Sequence, residues 1–271
     1  MDEKKGENKF SRPTPPDLHA KPNPRSRVGR VVGVVSGKGG VGKSLVTALL
    51  ASLLRRRGLN TGILDADITG PSIPKLFGLR GKLKGNDAGI FPARSAEGIG
   101  VVSSNLLLDD ESMPVVWRGP LISGMVRQFW TDVVWEDVDC LFVDMPPGTG
   151  DVPLTVFQSL PVDGIVVVTS PQQLVSMIVL KAVNMAKMMG VPIVGVVENM
   201  SYVKCPRCGE EIPVFGESRT AETARRYGLR LLARVPLDPA VARACDEGRA
   251  GEIDAPWLEA AADAVANLKK R

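Results

Sequence analysis

The sequence holds one histidine among its 271 residues, and that residue, His19, lies in a proline-rich stretch near the N-terminus. Histidine is the side chain that titrates near neutral pH and serves most often as a general base. The rest of the chain therefore cannot form a catalytic triad built on histidine, and it has no imidazole with which to ligate a metal or sense pH.

Long hydrophobic runs are also missing. No stretch reaches the ~18 uninterrupted apolar residues of a membrane span, and residues 1–10 are charged rather than apolar. We therefore expect a cytoplasmic protein that makes no membrane contact.

The positive charge is concentrated near the N-terminus. Residues 1–30 hold eight lysines and arginines against four acidic residues, which accounts for the whole formal net charge of +4. The neutral remainder lacks the basic face of a nucleic-acid-binding domain, so we expect no nucleic-acid partner.

Four cysteines are too few for a disulfide scaffold in a chain of this length. Two of them stand close together in Cys205-Pro-Arg-Cys208, a spacing that presents two sulfurs on one side of a turn. Zinc, an iron–sulfur cluster, redox exchange and no function at all are the alternatives for such a pair. Cys140 and Cys245 fall in a predicted buried strand and a predicted helix. One chain is therefore poorly suited to supply all four ligands of a metal site.

Composition divides the chain into two parts. Residues 1–28 carry five prolines and many charges but almost no large apolar side chains, which predicts a disordered basic tail. Residues 29–271 alternate apolar runs with amphipathic stretches, which predicts one domain with a Cys-x-x-Cys loop at 205–208. The predicted strands are 31–35, 61–65, 99–103, 138–144, 164–169, 191–198 and 230–235, and the predicted helices are 43–57, 121–134, 174–189, 219–227, 239–247 and 257–269.

The predicted strands are continuous β-branched runs, as in strands that are covered on both faces. Strands of this kind alternating with helices predict an α/β fold with a mostly parallel, doubly wound sheet. Ligands bind beyond the carboxyl ends of the strands in such sheets. The residues that follow the strands are therefore the candidate site.

A glycine-rich segment follows the first predicted strand and precedes the first predicted helix. It matches the pattern G-x-x-x-x-G-K-S/T, in which backbone amides and a helix N-terminus surround a phosphate. Lys43 is predicted to reach the β- and γ-phosphates, and Ser44 to ligate Mg²⁺. The expected ATP-binding residues of this loop are Gly37, Lys38, Gly39, Gly40, Val41, Gly42, Lys43 and Ser44.

The second lysine of the loop, Lys38, cannot easily fold back onto phosphates that its own backbone surrounds. We predict that it reaches across to a partner chain and acts there in hydrolysis. A solvated loop lysine is the alternative.

Acidic residues follow two further predicted strands. Phosphoryl transfer needs a positioned Mg²⁺, an aligned water and donors for the developing charge. Asp144 fits a residue that holds Mg²⁺ through water, Asp67 fits a residue that positions the attacking water, and the backbone N–H of Gly148 fits a γ-phosphate sensor. Asp65 and Asp151 are equally consistent with support of this site and with turn or helix capping.

The loop with its early lysine resembles the deviant Walker A ATPases, the group that includes the nitrogenase iron protein. In those relatives the early lysine contacts nucleotide in the facing subunit, which implies a homodimer here. Four segments in this order strongly resemble the Mrp/ApbC-type iron–sulfur cluster carrier ATPases, including the Nbp/Cfd scaffolds: Trp117-Arg-Gly-Pro120, Asp144-Met-Pro-Pro-Gly-Thr-Gly-Asp151, Glu198-Asn-Met-Ser201 and Cys205-Pro-Arg-Cys208-Gly209.

This resemblance implies a P-loop NTPase fold and a slow, Mg²⁺-dependent ATPase. It also implies that Cys205 and Cys208 of both subunits hold one labile 4Fe–4S cluster, which is received from upstream assembly proteins and delivered to apoproteins. Asn199 and Asp238 are assigned to adenine recognition by resemblance alone, and helix capping is the alternative for Asp238. The alternative function is a positioning or partition ATPase with structural zinc at the cysteine pair.

Overall fold

The computed structural model describes residues 20–68, 70, 72–107, 119–148, 151–171 and 175–270. The strands are β1 (Arg27–Ser36), β2 (Thr61–Asp65), β3 (Lys84–Asn86), β4 (Gly89–Phe91), β5 (Ala93–Arg94), β6 (Gly100–Val102), β7 (Asp137–Asp144), β8 (Gly164–Thr169), β9 (Ile193–Glu198), β10 (Val203–Lys204), β11 (Glu211–Ile212) and β12 (Leu231–Arg234). The helices are α1 (Lys43–Arg56), α2 (Ile73–Leu76), α3 (Gly119–Thr131), α4 (Asp151–Ser159), α5 (Val175–Met189), α6 (Thr220–Arg226), α7 (Pro239–Asp246) and α8 (Glu259–Ala266).

Eight strands form the main sheet in the order β12-β9-β8-β1-β7-β2-β6-β5, and every pair except β5 with β6 is parallel. The predicted α/β fold with a mostly parallel sheet is confirmed. Because the central strands run in one direction, the residues after β1, β2, β7 and β9 meet at one edge of the sheet. Register brings the candidate carboxylates together there, since Asp65 on β2 pairs with Asp144 on β7.

Helices cover both faces of this sheet, as the continuous apolar strands require. On β1, Val32 and Val34 join the core under α1, α7 and α8, whereas Val31 and Val35 join the core under α3, α4 and α5. This alternation fixes β1 in register, because a slip by one residue would exchange the two cores. The phosphate loop thus leaves a strand that is held on both faces.

The folded body begins earlier than predicted. β1 starts at Arg27, which pairs with Asp137, so the predicted boundary between residues 28 and 29 falls inside a strand.

Residues upstream of β1 also contact the body. The buried Asn23 donates from Nδ2 to the Ala88 carbonyl at 3.0 Å, and Trp130 Nε1 donates to the Ala20 carbonyl at 2.6 Å. Polar contacts of this kind leave no hydrophobic signature in the sequence. Residues 1–19 lie outside the described residues, and the disordered tail stays a prediction for them.

Several short elements were not predicted. They are α2, α4, the edge strand β5, and the hairpins β3–β4 and β10–β11. The last predicted helix begins as a 3-10 turn at Pro256–Leu258 before α8. In the described part of the chain, no helix is long and apolar enough to span a bilayer.

Candidate nucleotide site and cysteine turn

The phosphate loop joins β1 to α1 and has the backbone that phosphate wrapping requires. Gly40 and Gly42 both have a φ of 78°, a left-handed conformation that favours glycine. A Cβ on Gly42 would also collide with the side-chain amide of Asn199. The loop lines a cavity of about 300 Å³ together with Asp67 and Pro147. The structure thus brings the predicted loop and the predicted water-positioning carboxylate to one cavity.

Lys43 is buried at the start of α1, facing acidic residues. Its Nζ lies 2.8 Å from Asp144 Oδ2 and 3.8 Å from Asp67 Oδ2. Among the described residues, this ammonium makes no hydrogen bond of normal geometry, although it is buried. A buried cation with unused donors is suited to bind anionic oxygens of a phosphate.

Asp144 is fully buried and is held by two hydroxyl groups of α1. Ser44 Oγ donates to Asp144 Oδ2 at 2.5 Å, and Thr47 Oγ1 donates to Asp144 Oδ1 at 2.8 Å. The contact of Thr47 was not predicted, and its only sequence signal is its position one helical turn after Lys43. Ser44 and Asp144 supply the hard oxygen ligands that Mg²⁺ prefers, so these residues fit that ion.

Asp65 is the second fully buried carboxyl of the site. Burial, together with the neighbouring charge of Asp144, raises the pKa of Asp65 to about 8. Its oxygens accept hydrogen bonds from Ser103 Oγ at 3.1 Å and from the backbone N–H of Asp67 at 3.2 Å. Asp65 therefore supports the loop that carries Asp67, and it holds a proton near neutral pH.

This proton makes the stability of the nucleotide-free protein depend on pH. A carboxyl whose pKa is raised on folding binds more protons folded than unfolded, so stability falls as pH rises from about 4 to 8. We expect Asp65→Asn to raise the melting temperature at pH 8, measured in chelator without nucleotide, and to flatten the dependence between pH 5 and pH 8. A steeper loss of stability with rising pH in this variant would contradict the assignment.

The remaining loop residues occupy different positions. Lys38 is exposed at the loop, where its side chain is accessible to a second molecule. Gly148 has a φ of 94°, and its N–H donates to the Ser36 carbonyl at 2.9 Å. A γ-phosphate would have to replace that carbonyl for Gly148 to act as a sensor. The side chain of Asp151 lies outside the described residues, as do Thr149 and Gly150.

The two residues assigned to adenine have other contacts in this structure. Asn199 is buried, and its Nδ2 donates to the Val41 carbonyl at 2.9 Å, so its amide supports the phosphate loop from behind. Asp238 caps α7, because its Oδ1 accepts the Ala240 N–H at 2.8 Å. The capping alternative is therefore what the structure shows for Asp238. Asp238 also lines a second cavity of about 630 Å³, next to Tyr202 and Trp257.

The cysteine pair lies in the turn between β10 and β11, here called the cysteine turn (residues 205–210). The Gly209 N–H donates to the Cys205 carbonyl at 2.9 Å, and the Cys205 N–H donates to the Glu210 carbonyl at 2.8 Å. Hydrogen bonds from the backbone of Cys208 and Arg207, with one from the Cys208 thiol, lower the pKa of Cys205. The thiolate is the form that binds metals, so the lowered pKa of Cys205 favours metal binding at this turn.

The other two cysteines are unsuited to that role. Cys140 is buried in β7, where desolvation strongly raises its pKa, and burial also raises the pKa of Cys245. In the described ranges, no group of three or more metal-ligating side chains converges within one chain. In contrast, hydrogen bonds within the cysteine turn lower the pKa of Cys205, and Cys208 is exposed.

Comparisons with known proteins agree with this geometry. The model of a family described as ParA: NUBPL iron-transfer P-loop NTPase matches residues 27–270. An iron-sulfur cluster carrier protein of Clostridium perfringens is 45% identical over 230 residues, which cover 82% of this chain and 81% of the relative. A protein with the same description from Methanocaldococcus jannaschii is 45% identical over 225 residues, or 82% of this chain and 78% of the relative.

Solved structures show the same fold. A nucleotide-binding protein from Archaeoglobus fulgidus in complex with ADP superposes with a TM-score of 0.78 at 44% identity, covering 86% of this chain and 91% of that chain. The septum site-determining protein MinD of Pyrococcus horikoshii with Mg-ADP has a TM-score of 0.58 at 18% identity, covering 88% and 95%. The second likeness extends to the fold alone, so the comparisons do not favour the positioning-type alternative.

Proposed function

Since the chain belongs to the NUBPL iron-transfer family of P-loop NTPases, we propose that it carries iron–sulfur clusters and uses slow ATP hydrolysis to deliver them to apoproteins. The carrier role is inferred from the relatives that are described as iron-sulfur cluster carrier proteins. The observation that carries the proposal for this chain is the exposed cysteine turn, in which backbone amides stabilise the Cys205 thiolate. The nucleotide site at the same edge of the sheet is proposed to supply the other part of this function, the hydrolysis of ATP.

ATP is proposed to bind with its phosphates in the loop cavity. There the Lys43 ammonium, which is buried against carboxylates, would exchange part of those contacts for β- and γ-phosphate oxygens. Ser44 and Asp144 are the residues that would hold Mg²⁺, and the ion would neutralise phosphate charge during transfer. Asp67, which is only partly buried beside the cavity, would orient the attacking water. For Asn199 and Asp238, adenine recognition stays a proposal.

The cluster is proposed to lie between two copies of the chain. One chain offers two suitable sulfurs, whereas a 4Fe–4S cluster is held by about four thiolates. A two-fold axis through the cysteine turn would bring Cys205 and Cys208 of both subunits together, because a symmetric dimer repeats the same patch across its axis. Cys208 is exposed and Cys205 is partly exposed, which supports this arrangement.

Anaerobic reconstitution tests the cysteine ligands. We expect about four iron atoms per dimer by iron assay and native mass spectrometry, with absorption near 400 nm. Cys205→Ser and Cys208→Ser should each lose the iron and keep ATP affinity, because the turn lies outside the loop cavity. Cys245→Ser is the matched control and should load like the wild type.

Three outcomes would contradict the proposed site. A fully loaded monomer would place all the ligands in one chain. One tightly bound zinc ion per chain would make the turn a structural site. Equal iron loss in Cys245→Ser would mean that the loss does not report on the cysteine turn.

A further inference from the structure

Two adjacent residues at the end of β9 point to different sites. Asn199 binds the Val41 carbonyl of the phosphate loop at 2.9 Å. Glu198 is fully buried and instead accepts hydrogen bonds from the hydroxyl groups of Ser201 and Ser218. Ser201 and Ser218 flank the segment that contains the cysteine turn. Glu198, the last residue of β9, and Asn199, which follows it, therefore hold both ends of the cysteine segment and the nucleotide loop.

Arg234 at the end of β12 connects this buried carboxylate to the hairpin itself. Its Nε donates to Ser201 Oγ at 2.9 Å and lies 3.9 Å from Glu198 Oε1. Its Nη1 contacts Glu211 Oε2 on β11 at 3.0 Å. Its guanidinium also lies over the ring of Tyr202, 5.1 Å from the ring centroid. One side chain thus binds the base of the hairpin and one of its two strands.

The hairpin needs such an anchor. β10 and β11 are two residues each, and a two-stranded hairpin of this size is not stable by itself. Most side chains between residues 205 and 217 are exposed, so little apolar packing fixes the hairpin against the body. Its orientation therefore depends on the polar contacts at its base.

We propose that Arg234 is a positioning residue that couples the cysteine turn to the phosphate loop. A shift of the loop on nucleotide binding reaches Asn199 through the Val41 carbonyl, and the adjoining Glu198 passes it to Ser201 and Arg234. Arg234 then moves β11 through Glu211. The nucleotide state changes the exposure of Cys205 and Cys208 in this way, without nucleotide touching the turn. This inference rests on the proposed function for its biological meaning, but the coupling can be measured without a cluster.

The first measurement uses metal-free full-length protein. The alkylation rates of Cys205 and Cys208 are followed by peptide mass spectrometry without nucleotide, with Mg-ADP and with Mg-ATP. We expect at least one nucleotide state to change the wild-type rates about fivefold or more, the lower range for coupled sites. In Arg234→Gln the nucleotide effect should vanish, while ATP affinity stays at the wild-type value.

Two further variants keep the test specific. Glu211→Ala breaks the same link at an exposed side chain, where folding is not at risk, and it should remove the effect without adding to that of Arg234→Gln. Arg94→Gln is the matched control, because Arg94 is similarly exposed and is paired with Glu136 at 2.6 Å on the opposite edge of the sheet. It should retain the full nucleotide effect.

The same variants are then compared for the rate of iron loss to a chelator from reconstituted protein. A nucleotide effect on alkylation in a protein that binds no iron would overturn the carrier function and leave the coupling standing. The coupling itself is overturned if the wild-type cysteines alkylate at one rate in all nucleotide states. It is also overturned if Glu211→Ala retains the wild-type effect, or if Arg94→Gln loses it.

Discussion

Lys38→Ala is expected to leave ATP affinity nearly unchanged and to reduce hydrolysis by about a thousandfold, as for other cations supplied in trans to a phosphoryl group. The reason is geometric. Lys38 is exposed at the loop, whereas Lys43 already occupies the interior of the same chain's site. A cation that reaches the phosphates only across a dimer interface stabilises the transition state without setting the affinity of the single chain. Steady-state phosphate release and ATP binding measure the two effects, and the exposed Lys84→Ala is the control.

Mixed dimers separate action across the interface from action within one chain. A Lys38→Ala chain retains its own Lys43, and a Lys43→Ala chain retains its Lys38. Mixing the two inactive variants should restore about a quarter of the wild-type rate, since half of randomly mixed dimers are mixed and each has one complete site. No recovery on mixing, with mixed dimers demonstrated by mass spectrometry, would show that Lys38 does not act in trans.

The sequence predicted those parts of the fold and site whose signals are local. Alternation of apolar runs with helices is a pattern within each segment, and it predicted the sheet, α1 and the loop with Lys43 and Ser44. The register between β2 and β7 places Asp65 beside Asp144, but a sequence does not state strand order, and the buried carboxyl with its raised pKa became visible only in the structure.

Contacts between distant segments account for most of what the sequence did not predict. The amide of Asn199 binds Val41, 158 residues earlier in the chain, and adenine recognition by Asn199 stays a prediction. Arg234 had no sequence signal, and Glu198 appeared only as part of a motif without a role of its own, since the contacts of both depend on where β12 lies relative to the hairpin. Elements of two to four residues, such as β5, β10 and α2, are too short for periodicity to define. The boundary of the tail was wrong because Asn23 is held by hydrogen bonds rather than apolar burial.

Lys43→Ala is expected to have two separate effects. Loss of the charged contacts to phosphate should weaken ATP binding by about a hundredfold or more. The same substitution removes the cation that faces Asp144 and Asp67 in a buried site, and breaking a buried pair typically costs about 3 kcal/mol of stability because the remaining charge is uncompensated. Because Lys43 is buried, we expect this variant to be folded but less stable than the wild type.

The double variant Lys43→Ala/Asp144→Asn distinguishes the two effects. Asparagine still accepts a hydrogen bond from Thr47 but carries no charge, so the double variant should regain most of the melting temperature measured without nucleotide. It should not regain ATP binding, because the phosphate contact is still missing. Calorimetric titration with Mg-ATP and thermal unfolding in chelator provide the two readouts. Wild-type ATP affinity in Lys43→Ala would remove Lys43 from the phosphate site, and an unchanged melting temperature would show that its ammonium does not stabilise the buried carboxylates.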